Sequence, residues 1–404
     1  MKTLLSKPPL WLIILIIALP QLSETIYTPS LPDICRSLRT SAHTTELTLT
    51  IYLVGFACGV AIWGILSDAW GRKPILLIGI TLYILGSIAC WNAHSIEALL
   101  VFRFIQALGG SAGSVLGQAI ARDAIPIEER TRSYASISMA MAFSPAIGPV
   151  IGGITDHLFG WEAVFGMLTI LGISTALCIA RYLPETHLHR RPLSQHPWKE
   201  AFGILKDKRV LTYGWLVAGC NGIIFSFYAE GPFYYIRTLG LTPSVYGILA
   251  LGIAAPLFLG ASYSRWLLSK NQSPHRIIRI GCLSMCIGSA ILALSIYTGL
   301  ISPEHPMQAI ITSSACFAWV FFGIPMLISN SLSHALEPYK HLAGTAASLF
   351  GASYYAMISA LTGIMAWVQN GTLLPMPTLF MLISLGMLAM HSYVFNTSQA
   401  SASP

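Results

Sequence analysis

"GILSDAWGRKP", residues 64–74, sets one acid and two bases in a turn between two long apolar runs. Those runs cover roughly residues 46–66 and 74–93. Each is long enough to cross a hydrocarbon core about 30 Å thick, which takes about 20 residues of helix. Gly64 and Gly71 let backbones approach closely, and Asp68 and Arg72 stand at i, i+4 spacing, where opposite charges pair. The stretch reads as a short polar hairpin joining two membrane spans.

The pattern repeats along the chain. Apolar runs at 9–32, 46–66, 74–93, 97–121, 133–155 and 161–183 are followed by a polar stretch. Further runs lie at 210–236, 243–268, 277–300, 307–330, 341–368 and 374–395. Of the 404 residues, 54% are hydrophobic and only 10% charged, where a soluble protein carries about a quarter charged residues. The expected class is an all-α membrane protein of twelve transmembrane helices. Lys2 and Lys7 precede an apolar run too long for a signal-peptide core, so the first run is expected to stay as a span.

Twelve crossings put both termini on one side. Of the 23 Lys and Arg residues, only Arg36, Arg39 and Arg237 fall on the opposite side, and Arg103 falls inside a span. The positive-inside rule therefore places both termini in the cytoplasm. The net charge of +7 is spread over alternate short loops, which argues against nucleic acid as a partner. The eight cysteines are scattered with no CxxC pair, as expected of small buried hydrophobes.

The longest polar segment, "PETHLHRRPLSQHPWKEAFGILKDKR" (184–209), divides the chain into six-span halves, 1–183 and 210–404. It is expected to be a cytoplasmic linker, with "WKEAFGILKD" as an interfacial helix turning Trp198 and Phe202 toward the headgroups. His187, His189 and His196 belong to that linker, and no metal site is assigned to them. "GASYSRWLLSK", starting at Gly260, echoes the stretch at Gly64 in the other half, with Ser264 where Asp68 would stand. Two weakly similar six-span halves indicate a duplicated transporter architecture, two pseudo-symmetric six-helix bundles.

"GILSDAWGRK" resembles the loop 2–3 signature of the major facilitator superfamily. The resemblance implies a gating motif of Gly64, Asp68, Gly71, Arg72 and Lys73, with Asp68 capping a helix of the other half to shut the cytoplasmic side. "RFIQALGGSAGSVLGQAIARD" (103–123) resembles the R-x-x-Q-A-x-G stretch of drug:proton antiporters, particularly the Bcr/CflA-type branch with its trailing Arg122–Asp123. "SPAIGPVIGGIT" (144–155) resembles the superfamily's antiporter motif through Gly148, Pro149, Gly152 and Gly153, with Ser144 where Gly is common. The implied setting is a bacterial inner membrane, with a small-molecule substrate and protons as partners, no cofactor, and a monomer as the working unit.

Of the 16 acidic residues, Glu24 and Glu230 fall well within predicted spans. An intramembrane carboxylate usually faces a water-filled cavity or takes up a proton. Glu24 stands about 24 Å along its span from the cytoplasmic end, and Arg103 about 9 Å along a span running the other way. The two therefore share a depth, and in the superfamily both helices line the central cavity. Glu24 is expected to carry the coupling proton, with Arg103 favouring its release; alternatively Tyr27 or Gln21 holds Glu24 as a structural acid. In the relatives the acid lies two residues before the Tyr, where this chain has Thr25, which would turn Glu24 about 100° aside. Glu230, beside Gly231–Pro232, is a second protonatable candidate or an interfacial acid, and Tyr27 and Phe227 are candidates for the substrate wall.

The function expected is a proton-coupled antiporter exporting drugs or an endogenous metabolite such as a siderophore. The alternative is a symporter or uniporter importing a nutrient. Neither HExxH nor GxxxxGK[ST] occurs, so neither a zinc-dependent enzyme nor an ATP-driven pump is expected.

Overall fold

The computed structural model describes residues 8–187 and 203–400. Among them, twelve helices are long and apolar enough to cross a membrane. Spans one to six are Leu10–Ser37, Ala42–Trp70, Arg72–Trp91, Ile96–Ala124, Ile127–Phe159 and Trp161–Tyr182. Spans seven to twelve are Lys208–Thr238, Pro243–Ser269, Pro274–Tyr297, Pro306–Tyr339, Ala346–Val368 and Pro375–Phe395. Every expected run is present. Several helices reach past their apolar stretch into polar flanks, because local capping rather than hydropathy ends a helix.

The starts are set by Ser41, Ser95, Thr242 and Ser273, whose hydroxyls accept from backbone amides of the first turn. Gly71 and Gly160 stop spans two and five at φ values of +103° and +82°, which glycine adopts without strain. Span one is broken: helix Leu10–Thr25 gives way to a 3₁₀ turn at Thr28–Ser30 and a short helix, Leu31–Ser37. Span seven ends in a wider π turn, Phe233–Thr238, directly after Pro232, whose missing amide leaves the ladder open there.

Spans two, three and four pack together, as do nine, ten and twelve; spans two and eleven, and five and eight, join the two halves. The face carrying the ends of spans two and four and the start of span eleven is the termini side, and the opposite face is the far side. Between the halves, a cavity of about 370 Å³ reaches in from the termini side, lined by Val60, Asp68, Gln118, Arg122, Ser348 and Tyr355 among others. On the far side the halves are in contact: His43 Nδ1 lies 2.6 Å from the Ala366 carbonyl, and Ser359 donates to the Thr50 carbonyl at 3.2 Å. The molecule is open on the termini side and shut on the other.

The pseudo-repeat has physical content. Gly64 faces Val115 of span four and Ser348 of span eleven, whereas Gly260 backs onto the Phe322 carbonyl of span ten. Ser264 accepts from Asn330 Nδ2 at 3.2 Å, so a neutral hydrogen bond occupies the place of the acid. Of the expected linker helix, residues 198–202 lie outside the described residues, with Trp198 and Phe202 among them, as do His189 and His196.

Candidate functional site

Span four carries Arg103 into the middle of the first half, where it is fully buried. Its guanidinium lies between two rings, 4.0 Å from the centroid of Tyr27 and 4.1 Å from that of Tyr52. The i, i+3 spacing puts Gln106 on the same helix face, and Arg103 Nη1 donates to Gln106 Oε1 at 2.6 Å. Gln106 then donates to Ser87 Oγ at 2.8 Å, and Ser87 to the Tyr83 carbonyl. The Tyr83 hydroxyl stands 2.6 Å from Ser23 Oγ on span one. One polar chain therefore links spans four, three and one, and the stacked rings stand in for water around a buried cation.

Glu24 follows Ser23 and is also buried, with 1% of its surface exposed. Its Oε1 has no hydrogen-bond partner, nor do Arg103 Nε and Nη2. Glu24 and Arg103 are near enough to interact electrostatically but form no ion pair. Arg103 is occupied by aromatic faces and Gln106. Tyr52, and Tyr354 and Tyr355 of span eleven, also lie within electrostatic range of Glu24. The latter two also line the termini-side cavity, so Glu24 stands behind the cavity's inner end, at the seam of the halves. Thr25 points elsewhere: its hydroxyl donates to the Pro145 carbonyl of span five at 3.0 Å. Tyr27, considered above as a neighbour holding Glu24, pairs its hydroxyl with Thr48 instead, while Gln21 reaches Tyr355.

The hairpin at Gly64 is a bracing network within its own half. Arg72 Nη1 pairs with Asp68 at 2.6 Å, and its Nε with Asp123 at 3.2 Å. The amides of Arg72 and Lys73 donate to Glu185 at 2.9 and 3.2 Å. Lys73 Nζ donates to the Ala180 carbonyl. A side chain at residue 71 would run into Glu185. In this conformation Asp68 caps no helix of the other half; it stands on the cavity wall.

Span five provides the far-side seam. Pro149 lacks the amide that would bond the Pro145 carbonyl, and that free carbonyl accepts from Thr25 and, across the halves, from Tyr228 at 3.3 Å. Gly148 faces Thr25, Gly152 the Ile26 carbonyl, and Gly153 the Pro243 carbonyl of span eight. Ser244 donates to the Gly153 carbonyl. The motif is the surface on which span one and the second half rest.

Neither Tyr27 nor Phe227 is among the residues lining the 370 Å³ cavity. The ring of Tyr27 is taken up by Arg103. Phe227 packs against Phe317 and Phe321 at 4.8 and 5.4 Å, beside a separate apolar pocket of about 110 Å³. Glu230 is buried near the far side, where Glu46 of span two faces it within hydrogen-bond reach. Sequence reading placed Glu46 at the very edge of its span and missed it. It also missed Tyr355 and Glu185, although the Arg103–Gln106 spacing pointed toward the polar chain. Among the described residues, no group of three or more His, Cys, Asp or Glu is placed to hold a metal ion.

The model of the major facilitator superfamily matches residues 13–363. An uncharacterized transporter of Rickettsia bellii is 32% identical over 97% of both chains. A bicyclomycin resistance protein homolog of Haemophilus influenzae is 28% identical over 94% of both. The crystal structure of a D-xylose–proton symporter superposes with a TM-score of 0.74 at 13% identity, covering 94% of this chain and 96% of that one.

Proposed function

The chain belongs to the major facilitator superfamily, and we propose that it is a proton-coupled exporter of small organic molecules, drug-like or metabolic, working by alternating access. Its setting is a bacterial inner membrane, with residues 1–183 and 210–404 as the moving halves and 184–209 as the cytoplasmic linker. By the charge asymmetry of the loops, the termini side is cytoplasmic and the cavity opens toward the cell interior. A volume of about 370 Å³ fits the range of small-molecule sites.

The observation that carries the reading is Glu24: buried at the seam of the halves, beside two tyrosines of the cavity wall, and unpaired with Arg103. An acid in that position can hold a proton in place of a salt bridge. With the proton gone, the carboxylate attracts either Arg103 or a cationic substrate; with the proton present, it attracts neither strongly. Proton and substrate thereby exclude one another, which is the requirement of antiport. Glu230 is a second protonatable group of the same cycle. The resistance protein named above supports drug-like cargo, and the proline–glycine motif of span five supports export over import.

The test is accumulation of labelled candidate substrates by cells expressing the chain, with and without a protonophore. Export predicts that accumulation rises when the gradient collapses. A fall would assign the chain to import, and no change would remove the proton from the mechanism.

A further inference from the structure

Glu46 and Glu230 come from opposite halves of the molecule, one near the start of span two and the other near the end of span seven. Their side chains are 1% and 3% exposed, and the carboxyl groups face each other within hydrogen-bond reach. Glu46 Oε1 and Oε2 and Glu230 Oε2 have no other partner. Two buried carboxylates at such range repel strongly when both are charged. One proton between them turns repulsion into a hydrogen bond that joins the halves where the far side is shut.

A route for that proton exists. Glu230 lines a pocket of about 220 Å³ together with Tyr234, Arg237, Gln369 and Thr372. Arg237 and Thr372 are exposed on the far side. The other titratable groups nearby are otherwise placed. The Tyr234 hydroxyl is buried without a partner, and His43 is held by the Ala366 carbonyl. Tyr246 reaches toward Gly231, Tyr27 pairs with Thr48, and Arg36 pairs with Asp33. No ion pair joins Arg237 to either acid.

We propose that Glu46 and Glu230 form one shared-proton site, open to the far-side solution, that latches the outer gate. Protonation closes the gate, and loss of the shared proton drives spans two and seven apart. The latch deepens the role given to Glu230 above, and rests on that reading only in taking the proton as the coupling ion; it is indifferent to the direction of substrate movement.

The test uses the full chain in nanodiscs, with spin labels on unnatural ketone-bearing residues at Ser37 and Glu304, exposed far-side positions in opposite halves. Electron–electron distances are read from about pH 5 to about pH 9, a span that covers documented buried carboxyls. The unmutated pair is expected to show a single short distance in acid and a growing longer population in alkali. Glu46→Gln and Glu230→Gln, each able to donate to the remaining carboxylate, should stay short throughout. A pH-independent distance in the unmutated chain, or an unaltered shift in both Gln variants, overturns the latch. Failure of the coupling reading would appear separately, as transport indifferent to a proton gradient while the distance shift persists.

Discussion

The guanidinium of Arg103 is held between the rings of Tyr27 and Tyr52, 4.0 and 4.1 Å from their centroids, rather than against the carboxylate of Glu24. A planar cation suits that slot and an ammonium does not. Arg103→Lys is expected to lose about 2 kcal/mol or more of stability, since each desolvated cation–π contact is worth up to about 2 kcal/mol. A lowered melting temperature in detergent, with transport reduced in vesicles, checks this. An unchanged melting temperature would show that the stacking is incidental.

Glu24→Gln keeps the shape of the site and removes its capacity to exchange a proton. Binding of a cationic substrate should weaken, as it does when Glu24 carries its proton, and substrate-evoked proton release in proteoliposomes, followed with a pH dye, should fall to background. Retained release would take Glu24 out of the coupling step.

The Pro145 carbonyl accepts from Thr25 within its own half and from Tyr228 across the seam. Each donor is worth about 1 kcal/mol, and loss of both strands a buried acceptor at about 1–3 kcal/mol. Thr25→Val combined with Tyr228→Phe should therefore lower thermal stability by more than the two single changes added together. Strict additivity would mean that another donor replaces them.

Gly247 of span eight backs onto the Pro149 carbonyl of span five with no room for a methyl group. Gly247→Ala should penalise only the conformation shut on the far side, by about 1–3 kcal/mol of overpacking. The ratio of far-side-open to far-side-shut molecules, read from distances across that face, is expected to rise about 5-fold to about 150-fold. A distance distribution like that of the unmutated chain would contradict the close approach.

Glu185 accepts the amides of Arg72 and Lys73 at the start of span three. Charged caps of this kind contribute about 1.5–3 kcal/mol, so Glu185→Ala should lower the melting temperature clearly. Glu185→Gln, which still accepts, should recover part of the loss. Equal melting temperatures for all three proteins would discard the cap.

The sequence determined the number of spans and their approximate limits. Hydrophobic length and the positions of glycine and proline act locally, and a lipid environment leaves the backbone no option but the helix. It also carried the Arg103–Gln106 spacing and the proline–glycine face of span five. Tertiary structure decided which side chains meet: Arg103 with Tyr27 and Tyr52, Thr25 with the Pro145 carbonyl, Glu46 with Glu230. Those residues lie on helices far apart in the chain, and a side chain's orientation about its helix is set by packing against neighbours that one-dimensional periodicity does not name. The contacts across the two halves also depend on which face of the molecule is shut, a property of the assembled bundles that no single span encodes.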